Sequence, residues 1–116
     1  MQHIATGGKR SMFDILASTR SAQAAMMTLR PGQSSSERPE NEHPGAEQWL
    51  FVVKGTGRAV VGPSRAALKE GSLLLIEKGE THQVTNTGRR ALVTLNLYCP
   101  PAYDDQGDVR PSVARA

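Results

Sequence analysis

The chain has 116 residues, a formal net charge of +3, a hydrophobic fraction of 38%, aromatics at 4% and one cysteine. That length builds one domain with a real core and is too short for two, and a lone cysteine excludes an internal disulfide. The basic residues are scattered and not interleaved with aromatics, which argues against nucleic-acid binding, and no run reaches membrane-spanning length, so a soluble, cytoplasmic protein is expected.

Strand signals dominate from the N-terminus onward. After the polar start MQHIATGGKRS, which lacks an apolar leader core, MFDILAS (12–18) and AQAAMMTL (22–29) read as short strands, the second stopped by Pro31-Gly32. QSSSERPENEHPG (33–45) is a polar loop leading into EQWLFVVK (47–54). Gly55-Thr56-Gly57 then turns the chain into RAVV (58–61), a hairpin signal in which glycine supplies positive φ. Beyond Gly62-Pro63 come SLLLIE (72–77), a Lys-Gly-Glu turn, HQVTN (82–86), a Thr87-Gly88 turn and ALVTLNLYC (91–99), closed by Pro100-Pro101. The remainder, 102–116, is polar and reads as a loosely held tail.

Seven or eight short strands at regular spacing predict an all-β antiparallel barrel or sandwich over 1–116, with the barrel proper at about 22–99. WLFVV and LLLI are apolar at both parities, so neither leaves a face for water. One face lines the barrel and the other needs cover, for which a homodimer is the natural solution.

Two histidines stand in patterned surroundings. Gly71, Gly79, His82 and Asn86 are spaced as Gly, seven residues, Gly, two residues, His, three residues, Asn, with Glu77 between the glycines. Six residues stand between Gln48 and Gly55, and four between His43 and Gln48. These segments resemble the two motifs of a small single-domain cupin, a double-stranded β-helix of jelly-roll type. In that family a proline occupies the position of Glu77, a carboxylate that of Gln48, and a His-x-His pair the positions of Asn41 and His43.

The resemblance implies a divalent transition metal (Zn, Ni, Fe or Mn) held by His43, Gln48 and His82, with Asn41 where a further imidazole normally stands. Strand alternation points Asn41 and His43 inward together and Glu42 away, unless the loop bulges and brings Glu42 in. Met27, Leu50, Leu95 and Tyr98 are candidates to line the pocket, and Glu42 or Tyr98 to move a proton. Two imidazoles suit Lewis-acid isomerase or cyclase chemistry on a small polar molecule better than oxygen activation. The competing expectations are a binding or sensor module without turnover, and a metal-free barrel whose polar residues hydrogen-bond to trapped water.

Overall fold

The computed structural model describes residues 1–115. Among them the regular elements are all strands: β1 Phe13–Ser18, β2 Gln23–Leu29, β3 Glu47–Lys54, β4 Gly57–Val61, β5 Ser64–Leu68, β6 Leu73–Ile76, β7 His82–Asn86 and β8 Leu92–Cys99. They form a five-stranded antiparallel sheet in the order β1-β2-β8-β3-β6 and a three-stranded one in the order β5-β4-β7.

Alternation decides which side chains meet between the sheets. From β3 these are Gln48, Leu50 and Val52; from β8, Leu92, Thr94, Asn96 and Tyr98, all of them buried. The deeper half of the interior is apolar, joining Met27, Leu29, Leu50 and Val52 to Ala59, Leu68, Val84 and Leu92. Towards one end it gives way to a second cluster of Ala25, Ala46, Tyr98, Ala102, Tyr103 and Val113. The polar side chains collect at that end.

All seven expected strands lie within a residue of their predicted limits, and β3 and β7 match them. β5 was not foreseen. It follows β4 through the two-residue turn Gly62-Pro63, with Val61 opposite Ser64 and Gly62 at φ 53°. Its sequence, SRAAL, carries neither aromatic nor β-branched residues, so local propensity hides it; pairing along β4 makes it a strand. Gly55 does what the hairpin required. It has φ 90°, and a Cβ there would stand 2.5 Å from the Ala91 carbonyl oxygen.

Of the expected loose tail, 102–116, the last residue lies outside the described residues, and 102–115 is anchored to the core. Ala102, Tyr103 and Val113 are buried, the first fully. Gln23, itself buried on β2, holds the segment: its Oε1 accepts from the backbone N–H groups of Ala102 and Tyr103, and its Nε2 donates to the Tyr103 carbonyl at 2.8 Å. Farther on, the Gly45 N–H donates to the Val113 carbonyl at 2.9 Å. Polar composition concealed two anchoring side chains, Tyr103 and Val113, spaced too widely to form a periodic pattern.

Candidate functional site

The polar end of the barrel opens into a cavity of about 240 Å³. Its wall includes Gln48 from β3, His82 and Val84 from β7, Met27 from β2, Tyr98 from β8, Glu40 and Glu42 from the 33–46 loop, and Tyr103 from the C-terminal segment. Elements far apart in sequence thus converge on one pocket, with His43 fully buried behind the wall.

The two histidines are oriented alike. Nδ1 of His82 lies 3.1 Å from the Glu80 carbonyl and Nδ1 of His43 lies 3.3 Å from the Ala46 carbonyl. A proton on each Nδ1 serves those carbonyls and leaves each Nε2 with a lone pair. The rings are close, with centroids 5.0 Å apart. Burial lowers the pKa of His82 below the ordinary histidine value, and the neighbouring His43 acts in the same direction against the raising effect of the Glu80 carbonyl. His82 is therefore held neutral, the form that binds a cation.

Gln48 completes a directed chain. Nδ2 of Asn96 donates to Thr94 Oγ1 at 2.9 Å, which turns Asn96 Oδ1 towards Gln48. Nε2 of Gln48 donates to that oxygen at 2.9 Å, which turns Gln48 Oε1 towards His43 Nε2, 3.1 Å away. All of these side chains except that of His82 are at most 5% exposed, so solvent does not compete for the bonds. A buried amide aimed this way is fixed by its network, not by its own rotamer preference.

Here a conflict appears. Nδ1 and Nε2 of His43 both face carbonyl oxygens, and a neutral imidazole has one N–H. A cation bound by Nε2 and by Gln48 Oε1 removes the conflict, with the ring proton on Nδ1. The 3.1 Å separation suits that role, since two donor atoms each about 2.1 Å from a metal stand roughly 3 Å apart. His43 and Gln48 therefore fit a divalent ion, and the His82 ring lies beside them, its centroid 5.0 Å from that of His43. The donor set is lean: among the described residues no group of three or more His, Cys, Asp or Glu side chains is placed to hold a metal.

The structure reverses the expected parity around Glu42. The segment bends at that residue instead of extending through it, and the Asn41 side-chain oxygen accepts from the His43 backbone N–H at 3.1 Å. Asn41 is thus a turn former and does not line the cavity, whereas Glu42 does. Glu42 accepts a short hydrogen bond, 2.5 Å, from the Tyr103 hydroxyl. Burial pushes the ionisation of Tyr103 far above the usual tyrosine range, and Tyr98 and the Glu42 carboxylate add to the effect. Burial also raises Tyr98, with the Tyr103 hydroxyl acting the other way.

Of the remaining candidates, Met27 and Tyr98 line the cavity. Leu50 faces inward but lies deeper, in the apolar core. Leu95 does not belong with them: it is three residues from Tyr98, so alternation turns it to the outer face of the sheet, opposite Phe51. Tyr103 was missed because its segment read as a tail. Asn86 of the second motif is buried for a structural reason, its Nδ2 donating to the Leu29 and Arg90 carbonyls while its Oδ1 accepts from the Gly88 N–H.

With this geometry in view, comparison with known proteins is informative. A structure of BH2720 from Bacillus halodurans superposes with a TM-score of 0.80 at 26% identity, covering 90% of this chain and 81% of that one. KdgF from Halomonas sp. gives 0.69 at 20% identity, over 81% and 80% of the two chains. A predicted oxalate decarboxylase from Thermotoga maritima gives 0.68 at 23% identity, over 77% and 79%. The protein YrkC of Bacillus subtilis is 30% identical over 67 residues, which are 53% of this chain and 36% of that protein, so the match spans about a third of the relative's length. The family model described as "Cupin domain" matches residues 25–98, most of the barrel and both histidine-bearing segments' strands, and the chain belongs to the cupin family.

Proposed function

We propose that this cupin binds a divalent transition metal through His43 Nε2, His82 Nε2 and Gln48 Oε1, and that the cavity beside it takes a small polar molecule. The observation that carries the reading is the facing pair His43 Nε2 and Gln48 Oε1, two buried acceptor atoms brought together by a hydrogen-bond chain that runs back to Thr94. Hydrogen bonds from a ligand's second nitrogen to a backbone carbonyl are what orient metal-binding imidazoles, and both histidines have them.

A bound divalent ion would supply Lewis acidity towards a carbonyl or hydroxyl of the ligand. The protein's own groups supply the rest. Glu42, one of two carboxylates in the wall with Glu40, is placed to accept a proton, and Tyr103, kept protonated by burial, donates to it and fixes its position. Tyr98 forms part of the wall, packed edge-on against His43 with centroids 5.1 Å apart. Isomerase or cyclase chemistry suits this set better than oxygenase chemistry, because two imidazoles and an amide are a modest donor set for oxygen activation. One of the similar structures is described as a predicted oxalate decarboxylase, a name that implies a small polar substrate, in line with this reading.

A binding module without turnover is the second reading. It is favoured by the absence, among the described residues, of a third strong metal-binding side chain, and by the engagement of Glu42 with Tyr103.

The test is metal content. Protein purified without a polyhistidine tag is analysed by mass spectrometry, alongside His82→Ala. Near-stoichiometric metal that is lost in the variant supports the site. Wild-type protein that carries no metal, and that gains no thermal stability from added Zn, Ni, Mn or Fe, defeats the metal reading.

A further inference from the structure

We infer that the cavity takes an organic cation, a small molecule carrying an ammonium group, selected by Glu40, Glu42 and the rings of Phe13, Tyr98 and Tyr103. The inference rests on the reading that the cavity binds a small polar molecule, and it invokes no metal. It starts from charge. The chain has 14 Lys and Arg against 11 Asp and Glu, yet among the described residues the cavity wall carries two carboxylates and no Lys or Arg. A chance sample of this chain's charged residues would be basic more often than acidic. Arg110 touches the same segment but is turned to its backbone: its Nε donates to the Tyr103 carbonyl at 2.7 Å, and it does not line the cavity.

The hydrogen-bonding groups of the wall point the same way. A bound anion needs N–H and O–H donors, and those of the wall are largely engaged. The Tyr103 hydroxyl donates to Glu42, the Ser36 hydroxyl to the Arg38 carbonyl at 2.7 Å, and Gln48 Nε2 to Asn96 Oδ1. His82 Nδ1 serves the Glu80 carbonyl. What remains is weighted towards acceptors, the two carboxylates foremost, and a ligand that satisfies them brings protons or positive charge of its own. A small dicarboxylate would meet two like charges there.

The rings say that the cation is organic. The chain has one Trp, two Tyr and two Phe, and three of these five rings line this one cavity: Phe13 from β1, Tyr98 from β8 and Tyr103 from the C-terminal segment. Their centroids are 4.9 Å apart for Phe13 and Tyr103, 5.2 Å for the two tyrosines and 6.3 Å for Phe13 and Tyr98. The planes are inclined at 61°, 83° and 64° in the same order, so the rings form a corner and not a stack. An aromatic face is negative and attracts an ammonium group within about 6 Å, while it repels an anion. Carboxylates alone would serve a metal ion as well as an amine; carboxylates beside an aromatic corner favour the amine.

The experiment titrates the full chain, as purified and again after chelator, with two pairs of probes that differ only in charge. Choline is set against its neutral isostere dimethylbutanol, and ethanolammonium against propanol, with acetate as the anionic control. Ring resonances of Tyr98 and Tyr103, the chain's two tyrosines, report entry into the cavity. At least one cation should shift them and bind about tenfold more tightly than its neutral partner, and acetate should leave the chelator-treated protein unchanged. Added sodium chloride should weaken the cation and spare the neutral molecule. Glu40 is exposed, so Glu40→Gln keeps the fold; it should cut the preference for the cation severalfold without changing the affinity for the neutral probe. Neutral probes that bind as tightly as the cations, or a preference for acetate after chelator, overturn the inference and leave the cavity reading standing. An undiminished preference in Glu40→Gln overturns the role of that carboxylate. No tyrosine shift with any probe defeats the cavity reading itself, and this inference with it.

Discussion

His43 Nε2 and Gln48 Oε1 face each other across 3.1 Å with no donor assigned between them once His43 Nδ1 serves Ala46. The pair is held from both sides, so removing the chain that aims Gln48 should loosen it. In Asn96→Ala, the Gln48 Nε2 group loses its acceptor in a fully buried setting. Stability of the metal-free protein should fall by about 1–3 kcal/mol, the cost of an unsatisfied buried amide. Metal affinity should fall about 10–100-fold although no ligand has been touched. Urea unfolding and isothermal titration with Zn or Mn measure the two effects. Unchanged affinity would mean that Gln48 does not contribute to the site.

Gln48→Glu separates charge from shape. A carboxylate gives the lean donor set a stronger ligand, but it cannot donate to Asn96 Oδ1, and two acceptors then face each other. The metal-free variant should be less stable than wild type by about 1–3 kcal/mol. Added metal should return more stability to the variant than to the wild type, because the negative charge is buried beside the ion. Thermal melts with chelator and with excess metal check both halves. A variant that is destabilised in chelator and gains nothing from metal would place the ion elsewhere.

Much of the fold was legible because strands advertise themselves through alternation and turn glycines. β3 and β7 carry strong patterns and are bounded by Gly55 and Gly79, each at positive φ, so their limits could be read. β5 could not be, since SRAAL becomes a strand only through pairing with β4. At the site, His43 faces Gln48 across 3.1 Å and lies beside His82, with ring centroids 5.0 Å apart. Glu42 enters the cavity wall and Asn41 does not because the loop bends at Glu42, so strand alternation does not hold there, while His43 stays inward. Tyr103 was illegible for another reason: the side chain that brings it in is Gln23, 80 residues away. Leu95 illustrates the opposite case, where parity was present in the sequence and sufficient to exclude it.

The tyrosines offer a spectroscopic check on the pocket. The chain has two, Tyr98 and Tyr103, and both line it. Both are raised above the ordinary value of 10.0 by burial. Above that pH the unfolded chain loses protons that the native protein retains, so the associated stability is complete below pH 10 and falls as pH rises. Native protein should show no tyrosinate absorbance step near pH 10; ionisation should coincide with unfolding, monitored in parallel by circular dichroism. A reversible step at pH 10 in folded protein would show that at least one ring is solvated.

Tyr103→Phe tests whether the Tyr103 hydroxyl withholds Glu42 from a metal. The hydroxyl donates to Glu42 Oε1, and loss of that bond to a partly exposed carboxylate should cost about 1 kcal/mol. The released carboxylate lies in the cavity wall beside His82 and Gln48. Metal affinity should rise in the variant, and the rise should vanish in Tyr103→Phe with Glu42→Gln. Equal affinity in wild type and Tyr103→Phe would show that Glu42 does not reach the ion and acts only on the bound molecule.

Val113→Ala tests whether the C-terminal segment belongs to the core. Val113 is 1% exposed, and its carbonyl accepts from Gly45, two residues after His43. A Cβ on Gly45 would approach the Val113 Cα to 3.0 Å, so the two backbones are in contact. Truncating Val113 should destabilise the protein by about 1–3 kcal/mol, as expected for methyl groups removed from a packed interior. Because the segment is seated against the loop that carries His43 and Glu42, hydrogen exchange at the amides of Ala46 and Val113 should speed up together. A change of less than 0.5 kcal/mol, the range of ordinary surface substitutions, would return the segment to the status of a tail and remove Tyr103 from the site.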